Sequence, residues 1–290
     1  MSVSVQRPVK LLIRHGTPFI RWNSSSSTNI EKKDTGIDAP LPLLQRPLGV
    51  KDRPVAHNKT WDDTRKELMD QETRLQQRRH LINEAGKGYF TDLNATRSHG
   101  GKTWIAPNVM VREDKALYLP NISGSRLDTR TQTHTTDICH GRISVIATLS
   151  TRMSEVHSNT CTHDVMADRF QVHVNGFVSP TNARYLSNPL YQYIQINLQE
   201  NLLKSWLVSL FLSSIAKTVP KELHATYLVS SQSVEFVREP LGMTNKHIGY
   251  VYLVDENLKV RWAGCADAKA EETRALETCT GVLLRRLENR

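Results

Sequence analysis

The chain has 290 residues, of which 39% are apolar, and carries a formal net charge of +9 at pH 7. This length and apolar content suffice for one well-packed core with an extension to spare. No stretch reaches the ~18 apolar residues of a membrane-spanning helix. No dense Lys/Arg block interleaved with aromatic residues marks a nucleic-acid surface. We therefore expect a protein that is soluble or peripheral to a membrane and that does not bind nucleic acid.

The first thirty residues have the composition of a mitochondrial targeting segment. They contain no Asp or Glu, contribute +4 to the net charge, and carry four basic residues: Arg7, Lys10, Arg14 and Arg21. On a helix, the first three of these share one face, and a run of serines follows at residues 24–27. We expect residues 1–30 to be a mitochondrial transit peptide. A disordered basic tail is the alternative.

Residues 31–110 are predicted to be a Pro-rich linker followed by a charged helical extension. Four prolines interrupt regular structure before residue 60. From residue 61 to about 85 most side chains are charged or polar, and apolar residues recur at every seventh position: Trp61, Leu68, Leu75 and Ile82. This spacing predicts a helix with one narrow apolar seam and solvated remaining faces.

Residues 111–290 show the order of elements of a thioredoxin-like domain. Two apolar, partly β-branched runs at residues 143–149 and 191–197 predict buried strands. Each is followed by a predicted helix, at about 154–170 and about 200–217. A strand-helix-strand order predicts parallel pairing through a crossover connection.

A β-hairpin and a last helix complete the predicted domain. Strands are predicted at residues 249–254 and 258–262, joined by a tight turn. In the second strand Lys259 and Arg261 alternate with apolar residues, which predicts one buried and one solvated face. The chain then ends in an amphipathic helix at residues 267–290. The predicted fold class is therefore α/β, a thioredoxin-like domain with a mixed sheet flanked by helices.

The cysteines do not follow the pattern of thioredoxin-like redox proteins. Leu149 is followed by Ser-Thr-Arg-Met instead of a dithiol, and the five residues before Tyr250 include no proline. Without a low-pKa thiolate beside a resolving partner, disulfide exchange has no mechanism. We therefore expect no enzyme, no catalytic residue, no metal site and no cofactor. A thiol or copper carrier of the same fold is the alternative, and it would use one or more of Cys139, Cys161, Cys265 and Cys279.

The helix predicted at residues 200–217 carries more apolar surface than a one-sided surface helix needs. Its broad apolar face consists of Leu203, Trp206, Leu207, Leu210 and Phe211. Burial between the sheet and the extension is one explanation. The other is an exposed patch that docks a hydrophobic client or a membrane face. On the second explanation, these five residues are the candidate partner-binding site.

Several long motifs, taken together and in order, resemble the mitochondrial ATPase complex subunit 10 family, whose members are assembly factors of the F-type ATP synthase. The similarity extends from about residue 39 to the C-terminus and is weaker at residues 151–190. Its motifs lie at residues 88–90, 100–107, 112–120, 195–201 and 249–266.

The resemblance implies a chaperone bound peripherally at the matrix side of the mitochondrial inner membrane. Such a protein would bind newly made subunit a (subunit 6) of the ATP synthase and help it join the ring of c subunits. The physical need is plain, because polar groups of a membrane-embedded client are costly in lipid until their partner arrives. The family has no accepted catalytic residues, so none are implied here. An RNA-associated matrix protein is a further alternative, and it predicts binding that falls steeply with salt.

Overall fold

The structure of the protein is a computed structural model that describes residues 41–56, 75, 99–149, 162–198, 212–213, 215–217, 219–230, 232, 235–245 and 248–290. The predicted transit peptide and nearly all of the predicted charged helix lie outside these residues. Leu75 is the one described residue of that helix, and it is helical. Residues Pro40–Arg290 form one compact unit.

A mixed sheet of seven described strands forms the centre of this unit. In chain order the strands are β1 (Ser123–Arg126), β2 (Gln132–His134), β3 (Ile143–Leu149), β4 (Tyr191–Leu198), β5 (Tyr227–Ser230), β6 (Tyr250–Val254) and β7 (Val260–Cys265). Across the sheet they run β2-β1-β5-β4-β3-β6-β7. The pairs β3–β4 and β4–β5 are parallel and the other four pairs are antiparallel. Every residue of β3, β4, β6 and β7 is buried.

Helices pack against the central strands of the sheet. The described α-helices are α1 (Thr135–Cys139), α2 (Thr162–Tyr185), α3 (Glu235–Arg238) and α4 (Ala270–Glu288), with 3-10 turns at His99–Gly101 and Lys221–Thr226. The long helices α2 and α4 pack against each other. At their contact with the sheet, the rings of Phe177 and Trp262 meet edge to face at 5.9 Å.

The predicted fold class is confirmed by the strand order β4-β3-β6-β7. In this unit α2 connects the parallel pair and α4 follows the hairpin, which is the arrangement of a thioredoxin-like fold. The predicted strands at 143–149 and 191–197 correspond to β3 and β4, and the hairpin corresponds to β6 and β7. Strands β1, β2 and β5 extend the sheet beyond β4, and sequence analysis missed them. Their three or four residues are too few to show a hydrophobic period.

The helix after β3 ends much later than predicted, because it continues through Pro180 to Tyr185. A proline lacks the N–H that would bond the carbonyl four residues earlier, here that of Gly176. The hydroxyl of Thr273 in α4 lies 3.2 Å from this carbonyl and also 3.2 Å from that of Lys269, so its one proton is shared between the two acceptors. The predicted end at residue 170 was wrong, because the helix continues to Tyr185 and accommodates the proline within it.

The second strand of the hairpin lacks the solvated face that the alternation predicted. Arg261 is only 3% exposed. Residues 111–119 run along the outer edge of β7, where Val111 donates to the carbonyl of Arg261 at 2.7 Å and Val260 donates to that of Leu117 at 2.8 Å. The guanidinium forms an ion pair with Asp255 at 3.0 Å. The prediction of a solvated face was wrong. Asp255 takes the place of water as the partner of the Arg261 guanidinium, and residues 111–119 cover the strand.

Two segments that lie between residues 31 and 110 contribute to the main core. Leu48 is 2% exposed, Trp104 is 7% exposed and Ala106 is 1% exposed, and all three belong to the hydrophobic cluster around the sheet. The backbones of Leu44 and Ile105 are hydrogen-bonded at 3.0 Å. Residues 41–50 and 99–110 are therefore packed onto the body that carries the sheet.

Candidate partner-binding site

Five residues were predicted to bind a partner, and all of them lie outside the described residues: Leu203, Trp206, Leu207, Leu210 and Phe211. The helical residues that follow them are described. Leu212 is buried against Tyr227 and Val229 of β5, in a small cluster separate from the main core. Ile215 and Ala216 pack against the same cluster. These contacts identify the side of this helical segment that lies on the sheet.

The turn between β1 and β2 also contacts this helical segment. Arg130 has a left-handed backbone conformation, with φ at 57°. Its guanidinium donates to the hydroxyl of Ser213 at 3.1 Å. Leu127, from the same turn, is buried in the cluster that contains Leu212. The segment is thus held against β5 and the turn between β1 and β2.

The loop before β6 is held by an asparagine. The backbone N–H of Asn245 donates to the hydroxyl of Tyr250 at 2.9 Å, and that hydroxyl donates to the carbonyl of Asn245 at 3.1 Å. The side-chain amide of Asn245 donates to the carbonyl of Gly101 at 3.2 Å. The loop that precedes the hairpin is therefore fastened to the segment that begins at His99.

The three described cysteines are buried thiols. Burial raises the pKa of Cys139 to about 12. It also raises the pKa of Cys265 and of Cys279 above the ordinary value for a thiol. A protonated, inaccessible thiol is a poor nucleophile. Cys161 lies outside the described residues, and within the described part no three His, Cys, Asp or Glu side chains are grouped to hold a metal ion.

A buried ion pair fastens residues 99–107 to the last helix. The ammonium of Lys102 lies 2.7 Å from Oε2 of Glu272, and the two side chains are 4% and 1% exposed. The ammonium also donates to the carbonyls of Cys265, at 3.1 Å, and Asp267, at 2.8 Å. The second carboxylate oxygen accepts the N–H of Ala106 at 2.8 Å. All three ammonium protons are thereby used, and the motif at residues 100–107 has a structural role that sequence reasoning missed.

A groove separates residues 108–114 from the outer side of α4. It encloses about 670 Å³, and it is lined by Met110, Val111 and Val282 among others. Val109 stands at the groove with 73% of its surface exposed. The lining also includes the arginines Arg112 and Arg286. We refer to this feature below as the α4 groove.

These features define a thioredoxin-like protein whose described thiols are buried and whose residues 108–114 form a groove beside α4. The chain belongs to the ATP10 protein family, because the profile of that family matches residues 20–283. This confirms the family that the motifs indicated. No helix among the described residues combines the length and apolar character needed to cross a bilayer.

Curated relatives agree with this placement. The mitochondrial ATPase complex subunit ATP10 of Saccharomyces cerevisiae is 31% identical over 237 residues, which cover 80% of this chain and 84% of the relative. The protein of the same name from Candida glabrata is 31% identical over 202 residues, or 69% of each chain. A putative thiol:disulfide interchange protein DsbE from Chlorobium tepidum is 15% identical, with a TM-score of 0.38, and the match covers 58% of this chain and 96% of that chain.

Proposed function

We propose that this protein is a non-enzymatic assembly chaperone of the mitochondrial ATP synthase. It acts peripherally at the matrix side of the inner membrane, binds newly made subunit a, and promotes the joining of subunit a to the ring of c subunits. Family membership supports the general role, since the relatives in two yeasts are named as mitochondrial ATPase complex subunits. The client and the membrane side are the finer parts of the proposal.

The proposal for the client site rests on the orientation of the helical segment at residues 212–217. Leu212 and Ile215 contact the sheet. Successive side chains of an α-helix are about 100° apart, so on one continuous helix Leu203 and Leu210 fall about half a turn from Leu212. On the helix predicted at residues 200–217, we therefore expect Leu203 and Leu210 to face away from the sheet. Phe211 precedes Ile215 by four residues and is expected on the same side as Ile215.

A large apolar face directed away from a core fits a client-binding role. Exposed apolar patches on soluble domains commonly mark surfaces for protein or membrane partners. A membrane protein that awaits its partner subunits presents apolar helices together with polar groups that are costly in lipid. A face of leucine and aromatic side chains at the bilayer surface can hold such a client until the c-ring arrives.

The test compares two double variants of the same helix. Leu203→Ser with Leu210→Ser changes the proposed client face, and Leu212→Ser with Ile215→Ser changes the face that contacts the sheet. Each variant is purified from mitochondria in which organelle-encoded proteins have been radiolabelled, and its melting temperature is measured. The first variant should lose labelled subunit a and keep its melting temperature, whereas the control should melt several degrees lower.

Two results would contradict the proposal. A first variant that melts as low as the control would mean that Leu203 and Leu210 belong to the core. A first variant that melts normally and retains subunit a would place client binding elsewhere.

A further inference from the structure

The α4 groove combines an apolar floor with exposed polar rims. Met110, Val111 and Val282 are each partly exposed along it, and Val109 is largely exposed. On α4 the lining extends from Thr278 to Arg286. At 1.5 Å per residue this stretch is about 12 Å long, which fits about three or four residues of an extended peptide at ~3.3 Å each.

The charges in and beside the groove leave a positive balance. The lining itself holds Arg112 and Arg286, on opposite sides of the groove, against Glu113 and Asp114. Lys115 and Lys259 lie next to the turn at residues 112–116 without lining the groove, and they bring the balance to +2. Arg261 also lines the groove, but its charge is compensated by Asp255.

Two guanidiniums, one on each side of the groove, can bind an incoming anion. Arg286 has no carboxylate partner among the described residues. Arg112 is paired with Asp114 at 3.1 Å, with side chains that are 79% and 56% exposed. A solvent-exposed pair of this kind is worth at most about 1 kcal/mol, so it does not prevent Arg112 from changing partner.

We propose that the α4 groove binds a short extended peptide segment that has apolar side chains and one carboxylate. The apolar side chains lie on Met110, Val111 and Val282 beside Val109, and the carboxylate pairs with Arg286 and Arg112. Burial of apolar surface provides affinity, and the charged pair fixes the direction of the segment. The inference deepens the proposed function, because such a segment would be a water-exposed part of the client that the chaperone holds.

Peptide binding to the purified full-length protein tests the groove without reference to the client. The probes are fluorescein-labelled Gly-Leu-Val-Leu-Glu-Gly and the same peptide with Gln in place of Glu, both with an amidated C-terminus. Fluorescence anisotropy should show binding of the Glu peptide and about fivefold weaker binding of the Gln peptide. Arg286→Glu should weaken binding of the Glu peptide by a similar factor. Arg274→Glu is the matched control, since Arg274 is exposed on α4 but does not line the groove.

Equal binding of the two peptides would overturn the proposal, as would absence of binding or an equal loss in the Arg274→Glu variant. Val109→Asp should also weaken binding, whereas Val55→Asp should not. The two valines are comparably exposed, at 73% and 75%, and only Val109 lines the groove.

Photocrosslinking in mitochondria connects the groove to the client. A benzophenone amino acid at position 109 should crosslink to a radiolabelled, organelle-encoded protein, and the same group at position 55 should not. Equal crosslinking from both positions would overturn the groove as a client site. Retention of subunit a by a variant that no longer binds the peptide would also overturn the groove as a client site, while the general chaperone role would stand. Loss of the chaperone role itself would instead appear as absence of any labelled client on the unaltered protein.

Discussion

Lys102 and Glu272 form a buried ion pair at 2.7 Å between two segments that are 170 residues apart in the chain. The pair is enclosed by the end of β7 and the start of α4, and the ammonium lies 5.4 Å from the centre of the Phe177 ring. One oxygen of the carboxylate also accepts the N–H of Lys269, at 2.9 Å, as part of the helix cap. The contact therefore joins the added segment at residues 99–107 to the thioredoxin-like unit.

Replacement of Lys102 by Met should lower the free energy of unfolding by about 3–5 kcal/mol, because it leaves the carboxylate of Glu272 buried without its cation. Urea unfolding followed by circular dichroism measures the change. The control is Arg184→Met, which breaks a 2.7 Å pair with Glu277 whose side chains are 65% and 27% exposed. Its effect should stay below about 1 kcal/mol. Equal effects of the two variants would mean that burial does not set the strength of the Lys102 contact.

Gly264→Ala should destabilise the protein by about 1–3 kcal/mol, the usual range for overpacking a filled core. A Cβ at this position would lie 2.8 Å from ring carbons of both Phe177 and Trp262. Both rings are rigid and nearly fully buried. Gly176→Ala is the comparison, because its Cβ would meet that of Ala268 at 3.3 Å and alanine favours the helix. Thermal melting should rank Gly264→Ala well below Gly176→Ala, and the reverse order would contradict the packing described here.

A double-mutant cycle should detect the role of Thr273 in the proline-containing helix. Thr273→Val removes a hydroxyl proton that is shared between the carbonyls of Gly176 and Lys269, both at 3.2 Å, and should cost about 0.5–1.5 kcal/mol. Pro180→Ala restores a backbone N–H that can bond this carbonyl. In that background Thr273→Val should cost less, and urea unfolding of the four proteins gives the coupling energy. A coupling energy of zero would show that the hydroxyl does not compensate for the proline.

The buried thiol of Cys139 should make the protein less stable at alkaline pH. Its pKa is raised by burial to about 12, so above the ordinary thiol pKa of about 9 the unfolded chain loses this proton before the folded protein does. The contribution is complete below pH ~9 and disappears as the pH rises toward the folded value. Between pH 8 and 10.5 the unfolding free energy should therefore fall more for the unaltered protein than for Cys139→Ala. Parallel pH profiles of the unfolding free energy for the two proteins would contradict the raised pKa of Cys139.

Substitution of all four cysteines by serine tests the thiol or copper carrier alternative. We expect the variant to restore ATP synthase assembly in cells that lack the protein, because the three described thiols are buried and protonated. Cys161 is included because it lies outside the described residues. A folded variant that fails to restore assembly would revive the carrier function. The readout is the amount of assembled synthase on a native gel.

The sequence by itself determined the main strands, the hairpin, the last helix and the family. Strands β3 and β4 are continuous apolar runs, and such runs are strong signals because both faces of a central strand are buried. The hairpin was readable for a similar local reason, since its turn residues separate two apolar segments. Long motifs such as residues 100–107 and 249–266 carried the family resemblance through their residues alone.

Only the tertiary structure decided what the polar residues of those motifs do. The partners of Lys102 and Arg261 are a helix residue 170 positions away and a carboxylate across the hairpin turn, and no local pattern announces such pairs. The carbonyl of Gly176, which Pro180 leaves without a helical donor, likewise lies within hydrogen-bond distance of a hydroxyl from α4. Local periodicity reports which side chains prefer water, whereas the burial of a charge depends on a counterion that the folded chain brings to it.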